Sequence, residues 1–330
     1  MFSIRPSARV LLGAFAAAAL AGTMPLAHAT LNLATYGVTG NYALDALNGA
    51  AGGISGYEAS AVTYARDRGT LFFVGDEGTG VVEISRTGQT LGYMNFDWTG
   101  TGSKKHDTEA LTYVGNGQLV VGEERLYDAY KFGYVNGGTA TLASNGVSIS
   151  DDKVGNSGME GISYDVRDGS FVMVKQEDPE DIRGGTLSFG PDLGGSANTA
   201  TLFDPTLLGL ATLSDIQTLG GVDGLSASDA DNLLILSLGS NLLVETTRSG
   251  QILSSFDLTP FNIHNGIEGV SVDENGTIYL VAEQEQDGST DAPHSRLIVL
   301  SKVPEPETCS LMLGSLGLVG WFSRRKQKTA

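Results

Sequence analysis

The chain has 330 residues, a formal net charge of −18 and a single cysteine, Cys309. Acidity of this degree excludes nucleic acid, itself a polyanion, as a natural partner. A lone thiol leaves no internal disulfide, so the fold must be held by core burial, which a chain this long supports.

The two ends read as targeting segments and are set apart from the fold. Residues 1–29 form a secretory signal: Arg5 and Arg9 precede an apolar run over 10–20, and Ala27-His28-Ala29 makes a small-x-small cleavage site. The apolar run falls short of the roughly 20 residues that a spanning helix needs. At the other end, 303–330 holds Pro304-Glu305-Pro306, a short apolar run over 309–322 and the basic cluster Arg324, Arg325, Lys326 and Lys328. That tripartite order resembles the PEP-CTERM sorting signal. The resemblance implies recognition by an exosortase, processing near residues 304–306, transient membrane anchoring, and export to the periplasm or outer surface of a Gram-negative bacterium. Residues 30–302 remain as one domain, with 14 basic and 36 acidic residues, a formal charge of −22.

In chain order, a first strand over 31–36 is expected to close the fold by joining its last sheet. An acidic phrase then recurs: YEASAVTY at Glu58, DTEALTY at Glu109, GMEGISY at Glu160, GVDGLSA at Asp223 and GIEGVSV at Glu268. The spacings are 51, 51, 63 and 45 residues. Each phrase precedes an apolar strand, a turn rich in Gly, Asp and Asn, and a second apolar strand. Self-similarity at this period, in all-strand units, predicts a β-propeller of five four-stranded antiparallel blades, with six blades as the alternative. In the first copy the strands fall at 59–64, 71–75, 80–85 and 89–96, with hairpin turns at Arg66-Asp67-Arg68-Gly69 and Thr87-Gly88. The 45 glycines follow from so many hairpins. One helix is expected, over 205–214, where Pro205 suits a helix start.

Antiparallel pairing puts the acidic phrases, the ends of the second strands and the long inter-blade connections on one face. Function on a rigid scaffold resides in such loops. Glu58, Glu109, Glu160, Asp223 and Glu268 are therefore expected to ring the channel mouth. They are joined there by Asp76 and Glu77, Glu123, Glu124 and Arg125, Lys175, Glu177 and Asp178, Ser237, and Glu283. Converging carboxylates cannot all stay ionised without a cation, bound protons or paired bases. A hard, oxygen-ligated ion such as Ca²⁺ would relieve the repulsion and needs no Cys or His. The alternative is that the acids only accept backbone hydrogen bonds and pair with Arg125 and Lys175. The candidate metal ligands are Glu58, Glu109, Glu123, Glu124, Glu160, Glu177, Asp223, Glu268 and Glu283. His106, His264 and His294 fall on the same face and read as surface polar residues. No G-x-S-x-G elbow occurs, since an acid stands where the nucleophile would be.

The set GMEGISYD, VKQEDP, the EER after LVVG, and GIEGVSVDENGTIYLVAE resembles the SdiA-regulated family over about residues 56–301. The resemblance implies a five-bladed propeller related to NHL repeats, with a calcium site and no established catalytic activity. The expected function is thus an exported binding module for an extracellular polysaccharide or another small ligand. A metal-dependent hydrolase of esterase, lactonase or phytase type is the alternative, with Glu160 or His106 as base.

Overall fold

The second strand of each repeat is apolar throughout because its alternate residues face two different neighbours. Leu71 and Phe73 pack toward one adjoining sheet, while Phe72 and Val74 pack toward the other. A strand buried on both faces loses the polar alternation of a half-exposed one. Five such apolar clusters fill the spaces between five sheets. The computed structural model describes residues 31–44, 54, 58–150, 155–177, 179–261, 266–284 and 294–303. Residues 1–30, where the signal segment is expected, residues 304–330, Asp178 and His264 lie outside them.

The first strand, β1 (Tyr36–Ala43), is followed by blade one: β2 (Ala59–Ala65), β3 (Thr70–Gly75), β4 (Gly80–Ile84) and β5 (Thr90–Asp97). Blade two comprises β6 (Thr108–Gly115), β7 (Gln118–Glu123), β8 (Asp128–Gly133) and β10 (Gly146–Ser148). Between the last two runs β9 (Thr139–Thr141), which pairs parallel with β5 and gives blade one a fifth strand. Blade three is β11 (Met159–Tyr164), β12 (Phe171–Lys175), β13 (Asp181–Ser188) and β14 (Ser196–Thr201). Blade four is β15 (Asp215–Thr218), β16 (Leu233–Ser237), β17 (Leu242–Thr246) and β18 (Ile252–Asp257). Blade five is β19 (Ile267–Val272), β20 (Ile278–Ala282) and β21 (Arg296–Lys302), completed by β1 on its outer edge. The N-terminal strand therefore closes the ring as expected, but over Tyr36–Ala43; the 31–36 stretch is mostly a 3₁₀ turn at Leu33–Thr35.

The innermost strands carry the common register. In β2, β6, β11 and β19 a bulge skips one residue near the start: Ser60, Glu109, Glu160 and Glu268 respectively. Three residues past each bulge a Thr or Ser hydroxyl accepts a backbone N–H of the next blade. Thr63 takes Tyr113 (2.9 Å), Thr112 takes Tyr164 (3.0 Å), Ser163 takes Thr218 (3.0 Å) and Ser271 takes Tyr64 (2.9 Å). The ring of hydrogen bonds thus ties inner strand to inner strand around the channel.

Two acidic phrases stand out of register with this pattern. In blade one the bulge residue is Ser60, and Glu58 stands two residues before it. In blade four the inner strand is β15, so the equivalent residue is Ser214 and the phrase around Asp223 is not a strand. The corrected positions, 60, 109, 160, 214 and 268, are spaced by 49, 51, 54 and 54. The expected helix over 205–214 shrinks to a 3₁₀ turn at Pro205–Leu208, capped by the Asp204 carboxylate. It ends because Gly209 adopts a left-handed conformation and β15 must begin. Asp215 replaces the small residue of the other copies. Its carboxylate accepts Ile216 N–H and Val270 N–H, both at 2.7 Å. It fits because blade three offers Gly161, where a Cβ would lie 2.4 Å from Asp215 Oδ1. Among the described residues no helix is long and apolar enough to cross a membrane.

Candidate metal centre

Three tiers of equivalent positions meet at the acidic mouth. The bulge tier holds Ser60, Glu109, Glu160, Ser214 and Glu268. Two residues earlier, the outer tier holds Glu58, Asp107, Gly158, Thr212 and Gly266. The carbonyls of four outer-tier residues accept the N–H groups of Asp76, Glu124, Gln176 and Glu283, which form the third tier just past the second strands. The acids are concentrated on blades five, one and two, with Glu160 from blade three. Blades three and four supply Gly158, Gln176, Thr212 and Ser214 at the matching places.

Oxygens of Glu58, Asp76 and Glu77 lie within 4.8 Å of one another, and so do those of Asp76, Asp107 and Glu109. Asp76 belongs to both groups. Its Oδ1 is buried and has no hydrogen-bond partner among the described residues, a costly state for a carboxylate oxygen. Glu77 folds back over the strand end because residue 75 is glycine: a Cβ there would lie 2.6 Å from Glu77 Oε2 and 2.7 Å from the Glu58 carbonyl.

Burial and mutual repulsion hold protons on this mouth. Asp76 is pushed up to about 8 by burial, by a hydrogen bond shared with Glu58 and by the charges of Glu58, Glu77 and Asp107. Glu283 rises to about 8 through burial and the adjoining Glu268, with which it shares a hydrogen bond. Glu268 and Glu124 rise to about 7, in each case chiefly by burial. Glu109 and Glu160 are held well above the usual carboxylate range, first by burial and then by neighbouring acids. Glu160 shares a hydrogen bond with Glu124, Glu160 being the protonated partner. Two acid pairs, Glu283 with Glu268 and Glu160 with Glu124, therefore each share a proton, and Asp76 is itself held protonated.

The remaining expected ligands are placed differently. Glu123 is buried, accepting from Ser103 Oγ at 2.6 Å and Leu126 N at 2.7 Å, which occupies it in shaping its own loop. Glu177 is exposed beyond β12. Asp223 lies at the other end of the channel, in the β15–β16 connection, where it pairs with Arg66 at 2.8 Å. It is apart from the other acids because that connection, not a strand, carries it. Of the two bases expected to neutralise the mouth, Arg125 reaches Asp107. Lys175 instead donates to the carbonyls of Glu177 and Pro179. His106 stacks flat on Trp98, with ring centroids 5.0 Å apart, and makes no hydrogen bond or ion pair with Glu160. Asp107 is not among the ligands expected from the sequence. Its signal was present: it precedes Glu109 by two residues, as Glu58 precedes Ser60.

The residues present suit a hard divalent cation: an all-oxygen donor set, oxygens at the separations that a 2.3–2.6 Å coordination shell spans, and one carboxylate oxygen awaiting a partner.

Comparison with known proteins gives two matches by family. The SdiA-regulated family matches residues 39–285, and the PEP-CTERM protein-sorting motif matches residues 302–326. That motif marks an exported protein recognised by exosortase sorting machinery. Among solved structures, the chain is similar to a streptogramin B lyase, with 13% identity and a TM-score of 0.39, covering 74% of this chain and 64% of the lyase. A luciferin-regenerating enzyme matches at 11% identity and TM-score 0.43, covering 82% of this chain and 94% of that one. The β-propeller domain of Myceliophteria thermophila Cps50 (Swd1) matches at 12% identity and TM-score 0.38, covering 78% and 71%. The five-blade architecture itself rests on the strand pairing.

Proposed function

The chain belongs to the SdiA-regulated family, and from that premise and the geometry of its mouth we propose an exported, surface-sorted module that binds calcium and, through it, an extracellular polysaccharide. The observation that carries the reading is the buried, unpartnered Oδ1 of Asp76, which sits where two groups of acids converge. Calcium held by Asp76 with Glu58 and Glu77 would complete its shell from water or from ligand hydroxyls, since Ca²⁺ takes six to eight oxygens. Open positions of that kind suit vicinal hydroxyls on a sugar. Calcium would also displace the protons that the paired acids now hold.

The test is thermal. At a free calcium of 100 times Kd, binding adds about 2.7 kcal/mol, which in a domain of this size raises Tm by roughly 5–10 °C. The wild-type protein is expected to show that rise and to lose it in chelator. Asp76→Asn is expected to melt at one temperature with or without calcium. A wild-type melt indifferent to calcium would refute the site, and turnover in an esterase, lactonase and phosphatase assay would redirect the reading toward a metal-dependent hydrolase.

A further inference from the structure

The channel ends, away from the acids, in a bowl of about 540 Å³ formed by the connections between the first and second strands of the five blades. Its volume lies in the range of small-ligand sites. Three tyrosines at one equivalent position, Tyr64, Tyr113 and Tyr164, wall the side formed by blades one to three. Blades four and five place the smaller Thr218 and Val272 at that position, leaving room opposite the tyrosines.

Thr63, Thr112, Thr218 and Ser271, with Gln217, line the bowl, and their hydrogen bonding is not uniform. On blades three to five the polar hydrogens are committed. Ser271 Oγ donates to Gln217 Oε1 at 3.2 Å, Thr218 Oγ1 donates to the Tyr164 carbonyl at 3.0 Å, and Gln217 Nε2 donates to Ser163 Oγ at 3.0 Å. On blades one and two, Thr63 and Thr112 accept a backbone N–H but have no acceptor for their own hydroxyl hydrogen among the described residues. Both line the cavity, and they are only 5% and 4% exposed. A buried hydroxyl with an idle donor is half satisfied. Of the charged residues that line it, Arg66 pairs with Asp223 and Glu274 with Arg86, while Asp67 meets the Tyr113 hydroxyl.

We propose that this bowl is a second binding site, for an uncharged small molecule with a flat apolar body and one carbonyl-type acceptor. The body would lie against the tyrosines, and the acceptor would take the hydroxyls of Thr63 and Thr112. The site lies at the opposite end of the channel from the acids and does not depend on calcium, so its failure and that of the calcium reading are distinguishable.

Gly221 supplies a blocking variant, because it lines the bowl and a Cβ added there meets nothing within 4 Å. The probes are acetophenone and ethylbenzene, close in shape and differing by the carbonyl oxygen, titrated into the full protein by calorimetry. Acetophenone is expected to bind with a Kd of about 1 mM or tighter, and equally in chelator. Ethylbenzene is expected to bind at least about tenfold more weakly, the difference that 1.4 kcal/mol makes. Gly221→Leu should weaken acetophenone by a similar factor while its melting temperature stays that of the parent. The proposal is overturned if acetophenone shows no saturable binding, if ethylbenzene binds as tightly, or if a folded Gly221→Leu binds like the wild type.

Discussion

In chelator, the melting temperature of this protein is expected to fall as pH rises from 5 to 8. The sign follows from the mouth acids. Asp76 and Glu283 titrate near 8 in the folded state, and Glu124 and Glu268 near 7. Glu109 and Glu160 also lie well above the ordinary range. Unfolded carboxyls titrate near 4. Between about pH 4 and 8 the folded state thus binds more protons than the unfolded one, so stability drops with rising pH. The stabilisation is whole below the unfolded value and is lost through the folded values. Asp97, Asp168, Asp204 and Asp257 shift downward through local turn hydrogen bonds and act only below that window. A fall of about 5 °C or more is expected across the window, given a few °C per kcal/mol for a domain of this size. Saturating calcium should flatten the profile. A flat or rising curve in chelator would show that the acids are not buried together as described.

Glu160→Gln should stabilise the chelated protein at pH 8, by about 2–4 °C in Tm, and should make the pH profile shallower. Glu160 is 8% exposed and shares a proton with Glu124. The amide keeps the shape and still donates to Glu124, while one buried ionisable group disappears. Glu160 lies outside both groups of acids that converge on Asp76. The variant is therefore expected to keep most of its calcium response, in contrast to Asp76→Asn. Differential scanning calorimetry of the two variants side by side checks this. A large loss of stability in Glu160→Gln without calcium would mean that its charge is compensated in a way the geometry does not provide.

The blades were legible because burial on both faces leaves a continuous apolar run, as in LFFV at 71–74 and LLIL at 233–236, and because each run follows a tight turn. Blade one was readable almost to the residue. The mouth was legible in part. Glu109, Glu160 and Glu268 carry both the acid and the strand pattern, so phrase and register agree. In blade four Ser214 stands where the other blades have their bulge residue and Asp215 where they have a small one, which leaves GVDGLSA as the better match to the phrase. The match was chemical rather than structural: Asp223 serves a connection that reaches across to Arg66. Unequal spacings of 63 and 45 were the warning, since shifting that one position evens them to 54 and 54. What no local pattern could reveal was Asp76 as the meeting point of two groups of acids, or the idle hydroxyls of Thr63 and Thr112. Both depend on which blades end up adjacent.

The central claim is that calcium replaces shared protons at the acidic mouth. Calorimetric titration of calcium at pH 7, repeated in buffers of different ionisation enthalpy, measures that exchange directly. The account predicts release of about one proton or more per calcium bound, with affinity rising about tenfold or more per pH unit between 6 and 7.5. Calcium binding without proton release, at an affinity independent of pH, would contradict it.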